Sequence, residues 1–120
     1  MTFGEFVKDK RQKLGMSLRS FADELHIAPS YMSDIEKGKR NAPTQDILER
    51  MSQILKLNDD DKNTLFDLAA SSKNEIAQDL TTYVGENPNV RVALRKAKEL
   101  NLEDEEWVKI IEEMINKKQR

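Results

Sequence analysis

The chain has 120 residues, 38% of them hydrophobic and 35% charged, and carries a net charge of −2. That length holds one small domain, or one domain with a helical extension. No cysteine is present, which excludes a disulfide framework and thiolate metal sites, and no apolar run approaches the ~20 residues that span a bilayer.

The opening stretch MTFGEFVKDKR reads as a charged amphipathic helix without the apolar stretch of a signal peptide, so a cytoplasmic location is expected. Residues 1–40 hold eight Lys and Arg against six Asp and Glu, net +2; residues 41–120 hold twelve against sixteen, net −4. Distribution, not the sum, is what bears on a polyanionic partner, and this asymmetry is mild.

In chain order, Phe3, Phe6, Val7, Lys10 and Leu14 trace a stripe at helical spacing that Gly15 ends, predicting a first helix over 2–14. Ser17 suits an N-cap, and Leu18, Phe21, Ala22 and Leu25 follow at i, i+3, i+4 and i+7. His26 and Ile27 form a short connection, with Ile27 as an apolar plug between helices. Pro29 fits the first position of the next helix, where its missing N–H costs nothing. Met32 and Ile35 continue the buried face, and Gly38 supplies the left-handed stop. Pro29, Ser30, Tyr31, Ser33, Asp34 and Lys37 then point elsewhere, a surface suited to reading a ligand rather than to packing.

Lys39, Arg40 and Asn41 lead to Ala42-Pro43. Thr44 is the expected N-cap of a fourth helix carrying Ile47, Leu48, Met51, Ile54 and Leu55 to about Lys56. Asn58-Asp59-Asp60-Asp61 forms an acidic turn and first helical turn, favourable against the positive end of the helix dipole. A fifth helix with Leu65, Phe66, Leu68 and Ala69 runs to about Ser71. The aspartates are not a calcium loop: counted from Asp59, Thr64 stands at the sixth position and Ala70 at the twelfth, where such a loop needs glycine and glutamate. The expected core is Val7, Leu14, Leu18, Phe21, Ala22, Leu25, Ile27, Met32, Ile35, Ile47, Leu48, Met51 and Leu55. His26, the single histidine, is read as a surface turn residue.

The pattern from Leu18 to Arg40, with Ala22, Ile27, Ile35, Glu36 and Gly38 at their spacings, resembles the helix-turn-helix of the Xre/phage-repressor family over roughly the first 70 residues. The resemblance implies a compact five-helix domain whose helix at about 29–37 enters the DNA major groove and touches base edges with its N-terminal residues. Carried over, the base-reading set is Pro29, Ser30, Tyr31 and Asp34, with Ser33 as a reader or phosphate contact. Phosphate contacts are expected from Arg11, Ser17, Lys37, Lys39, Arg40 and Asn41, since phosphate contacts position and base contacts specify. The resemblance also implies an ion pair between Arg11 and Glu36 that ties the first helix to the third and orients the arginine toward a phosphate.

The second half is less legible. Ser71-Ser72-Lys73-Asn74 reads as a connector, followed by a short helix around Leu80 to Gly85 with Tyr83 and Val84 on its apolar side. Asn87-Pro88 is a start signal, asparagine capping and proline at the first position. Val90, Ala93, Leu94 and Ala97 form the inner face of a helix to about Leu100. A last helix begins near Glu103-Asp104 with Trp107, Ile110, Ile111, Met114 and Ile115 in one apolar stripe, ending in Asn116 and the basic tail Lys117-Lys118-Gln119-Arg120. This extension packs on the first domain, builds a dimer interface or captures another protein. Tyr83, Trp107, Ile111 and Met114 are the interface candidates, tyrosine and tryptophan being types that dominate interface energetics. The resemblance adds a toxin or a metallopeptidase as the separate protein partner.

The sequence reading is an all-α protein: a five-helix repressor-like DNA-binding domain at 1–71 and a C-terminal extension of two or three helices at 72–120. Its expected function is a sequence-specific double-stranded DNA-binding transcriptional regulator, a repressor, working as a homodimer on a pseudo-palindromic operator without cofactor or metal. The alternative is an antitoxin-like or protease-controlled regulator whose C-terminal helices hold a protein partner. An enzyme is not expected: one histidine, no glycine-rich phosphate loop and no HExxH motif leave no site for chemistry. RNA binding fits poorly with 6% aromatics and no sheet-like alternation.

Overall fold

The computed structural model describes residues 1–118; Gln119 and Arg120 of the basic tail lie outside the described residues. Among them the chain is all-helical: α1 (Phe3–Lys13), α2 (Leu18–Glu24), α3 (Pro29–Glu36), α4 (Gln45–Ile54), α5 (Asp59–Ser72), α6 (Gln78–Glu86), α7 (Pro88–Glu99) and α8 (Asp104–Lys118). They fall into two compact units, Met1–Leu80 and Thr81–Arg120.

Local sequence explains where these helices start and stop. Thr2, Ser17 and Asn58 each place a side-chain oxygen on an orphan N–H of the first turn, from Glu5, Ser20 and Asp61 respectively. Thr44 occupies the N-cap of α4 without such a bond. Asn87 sits at the N-cap of α7, but its amide donates instead to the carbonyl of Tyr83, tying the start of α7 to the end of α6.

Six helices end in the same reversal. The residue after the C-cap takes positive φ at Gly15, His26, Gly38, Lys56, Asn74 and Asn101. Its N–H and that of the next residue then turn back onto the last free carbonyls, as Gly38 does to Ile35 and Lys39 to Asp34. His26 is thus the αL residue of the turn between α2 and α3, exposed as its sequence position suggests.

The core of the first unit is built from α1 to α5. Val7, Phe21, Leu25, Met32, Ile35, Met51 and Leu65 are fully buried side chains at its centre. Phe3, Phe6, Ala22, Leu48, Leu55, Phe66 and Ala69 surround them, with Ala42 and Ala77 contributed by loops. Leu14, expected in this core, is instead 43% exposed, because it is the C-cap of α1 and its side chain leaves the helix face as the chain reverses at Gly15. Leu18, Ile27 and Ile47 are half-buried against the core.

Gly4 in the first turn of α1 lies so close to α3 that a Cβ there would meet the carbonyl oxygens of Ile35 and Glu36. The positive end of α1 therefore faces the negative end of α3, a favourable dipole arrangement. Lys10 reaches Asp61 of α5 at 3.0 Å, and Lys62 of α5 reaches Glu49 of α4 at 3.3 Å.

In the second unit, taken by itself, α7 and α8 bury little. Ala97 is its buried residue among the described ones, while Val90, Trp107 and Ile110 are half-buried. Leu94, expected on an inner face, is 42% exposed, and Ile111, Met114 and Ile115 each show half or more of their surface. The guanidinium of Arg91 donates to the carbonyls of Val84 and Gly85 and so caps the end of α6.

Candidate nucleic-acid interface

The site begins with what holds α3 in place. Arg11 on α1 and Glu36 on the last turn of α3 are both buried, 7% and 8% exposed. Arg11 Nε donates to Glu36 Oε2 at 2.8 Å and Nη2 to Oε1 at 3.0 Å, a parallel two-bond pair, while Nη1 donates to the carbonyl of Met16 at 2.8 Å. All three nitrogens are engaged, so the charge is paired and hydrogen-bonded as a buried ion requires. No buried side-chain polar atom is left without a partner among the described residues. The same arginine thus fixes α1, the turn before α2 and the end of α3. This burial and triple engagement turn Arg11 inward, onto the frame that holds α3.

With Met32, Ile35 and Glu36 facing inward, α3 presents Pro29, Ser30, Tyr31, Ser33 and Asp34 at its surface: Ser30 exposed, the others half-buried. Ala28 precedes Pro29 without a side-chain cap, leaving the first turn of α3 open. Ser17 is exposed at the start of α2, its oxygen already accepting from Ser20 and its hydroxyl proton still available to donate. Lys37 is the exposed C-cap of α3, and Lys39, Arg40 and Asn41 are exposed in the loop beyond it.

Reversal at Gly38 folds that loop back along α3. Arg40 lies over the Tyr31 ring, its Cζ 5.3 Å from the centroid, and its Nε is 3.8 Å from Asp34 Oδ2. Tyr31, Asp34, Lys39, Arg40 and Asn41 together line an open cleft that Lys73 joins from the end of α5. Lys73 was not visible in the sequence as a site residue. Read from sequence as part of a connector, it is instead the C-cap of α5, 33 positions after Arg40, and only the packing of α5 brings it to that edge.

Of the interface candidates of the second unit, Tyr83, Ile111 and Met114 are 51%, 50% and 56% exposed, and Trp107 is half-buried. No described helix is long and apolar enough to cross a membrane.

Comparison with known proteins bears on both units. Residues 7–61 match the helix-turn-helix family model. Over 52 residues the chain is 35% identical to the HTH-type transcriptional regulator SinR of Bacillus subtilis (strain 168), and equally so to that of Bacillus licheniformis. Each match covers 43% of this chain and 47% of the relative, so the chain spans about half the length of the curated relatives it matches. Among solved structures, the SinR protein/SinI protein complex superposes with a TM-score of 0.51 at 21% identity, covering 99% of this chain and 100% of that one. At that identity the likeness is one of fold.

Proposed function

We propose that the protein, whose residues 7–61 match the helix-turn-helix family model, is a sequence-specific double-stranded DNA-binding transcriptional regulator of the Xre/phage-repressor type, a cytoplasmic repressor. It inserts α3 into the major groove and acts as a homodimer on a pseudo-palindromic operator. The observation that carries this reading is the α3 face itself. Hydrogen-bonding and aromatic side chains (Ser30, Tyr31, Ser33, Asp34) stand on a helix anchored from behind by Arg11 and Glu36. Cations from Lys37, Lys39, Arg40 and Lys73 rim that face.

In this reading Pro29, Ser30, Tyr31, Ser33 and Asp34 meet base edges, with Tyr31 against a thymine methyl or a base acceptor. Ser17, Lys37, Lys39, Arg40, Asn41 and Lys73 meet phosphates and fix register. Arg11 acts by positioning α3. Selection of the full-length protein against a random duplex library tests this. Enriched inverted repeats with half-sites about one helical turn apart are the expected result. No enrichment at low salt overturns it.

A second reading is favoured by the apolar surface of α7 and α8: the C-terminal helices hold a separate protein. A solved structure of similar fold is the SinR protein/SinI protein complex, and a toxin or a metallopeptidase is the partner the resemblance suggests. Enrichment of single half-sites, with the protein monomeric, favours this reading over dimerisation.

A further inference from the structure

A carboxylate on a helix that enters a DNA groove is repelled by phosphates unless something neutralises it. Asp34 is such a carboxylate, and its neutraliser is supplied by the same chain. The left-handed residue Gly38 and the 2.8 Å bond from Lys39 N–H to the Asp34 carbonyl turn the backbone so that Arg40 returns over α3. There the guanidinium contacts two residues of the reading face at once, the ring of Tyr31 and the carboxylate of Asp34. Both charged partners keep substantial exposure, 60% for the Arg40 side chain and 40% for Asp34. The arrangement is a loose latch, open to competition by a phosphate for the cation and by an amino group for the anion. Lys39 and Lys73 line the same cleft, so the latch sits where a phosphate would arrive.

We propose that Asp34 is a selectivity residue that acts through Arg40, exchanging its partner only on operator DNA. This rests on the DNA-binding reading above. On random duplex the latch stays closed, Arg40 remains on Asp34, and the protein makes one phosphate contact fewer. On the operator a cytosine amino group, the donor a carboxylate accepts from in the major groove, takes Arg40's place at Asp34. Arg40 is then released to the backbone. Base recognition and a phosphate contact are thereby coupled, and the salt dependence of operator binding is steeper than that of random binding by about one unit.

The test uses full-length protein on random duplex and on the selected operator across a salt series. Asp34→Asn is expected to tighten random binding by about threefold to tenfold and to steepen its salt slope by about one unit. That gain should be absent when Asp34→Asn is added to Arg40→Ala. No gain overturns the proposal. A gain that persists in the Arg40→Ala background also overturns it, since Asp34 then acts on DNA as a bare charge.

The latch is read separately in the free protein by nuclear magnetic resonance. The Arg40 side-chain protons are expected to show a Tyr31 ring shift that Asp34→Asn reduces, and shifts left unmoved by that change overturn the latch. Were wild-type protein to bind no duplex at any salt, the DNA reading would fail and the exchange with it. The free-protein shifts would still report whether the latch exists.

Discussion

At the scale of single residues, the pair Arg11–Glu36 is a frame whose removal reaches the reading face. Glu36→Ala leaves a buried guanidinium without its counter-charge, and the cost expected for breaking a buried pair in this way is ~3–5 kcal/mol. Urea unfolding of the full chain checks it; a loss below 1 kcal/mol, the range of an exposed pair, would show that the pair does not organise the domain. Gly4→Ala should act at the same contact from the other side, forcing α1 off the end of α3, with a loss of ~1–3 kcal/mol typical of overpacking. Tyr31→Ala, by contrast, is expected to keep the fold and weaken operator binding by ~1–3 kcal/mol, the size of one good base contact. Equal losses on operator and random duplex would remove Tyr31 from the reading set. Lys73→Ala should weaken binding to all sequences alike and flatten the salt slope by about one unit.

Helices were the most legible scale, because their ends are written locally. Ser17, Pro29, Gly15 and Gly38 announce a cap, a first position and two stops, and the structure places them so. Less legible were ends made by residues that carry a side-chain cost: His26, Lys56, Asn74 and Asn101 adopt the same positive φ as the glycines. An L side chain in that conformation costs roughly 1–2 kcal/mol, which the two reverse hydrogen bonds and the packing beyond offset. Lys56→Gly at the end of α4 is therefore expected to raise stability by up to ~1 kcal/mol, readable as a higher urea midpoint at unchanged slope; a drop would mean that the lysine stem contributes packing there. Leu14 and Leu94 mark the limit of periodicity: a stripe says which residues share a face, not whether the same chain covers it. The side chains of Thr44 and Asn87 mark a second limit, since a residue of capping type at a capping position can spend its hydrogen bond elsewhere.

At the scale of the whole molecule, apolar burial is uneven. Every buried hydrophobic residue described except Ala97 belongs to the first unit's core, although the second unit carries Trp107, Ile111, Met114 and Ile115. A helical segment that small has little core of its own, and in the proposed reading its exposed apolar side chains serve as an interaction surface. Ile111→Glu is expected to shift the protein toward monomer in sedimentation while leaving thermal unfolding of the first unit in place; an unchanged mass distribution would assign the surface to a different protein. Charge alone said little about this division, and neither Lys73's place beside Arg40 nor the exposure of α8 could be deduced from sequence, because both depend on how helices pack.

That uncovered face on α7 and α8 also governs how the proposed regulator would respond to its own abundance. If two half-sites are occupied only by paired chains, operator occupancy rises with the square of protein concentration while the chains remain mostly unpaired. The response then has a threshold where a monomer would give a gradual one. A modest change in synthesis or turnover would move the protein across that threshold without any ligand, and a competitor covering Ile111 and Met114 would move it back by removing chains from the pairing pool.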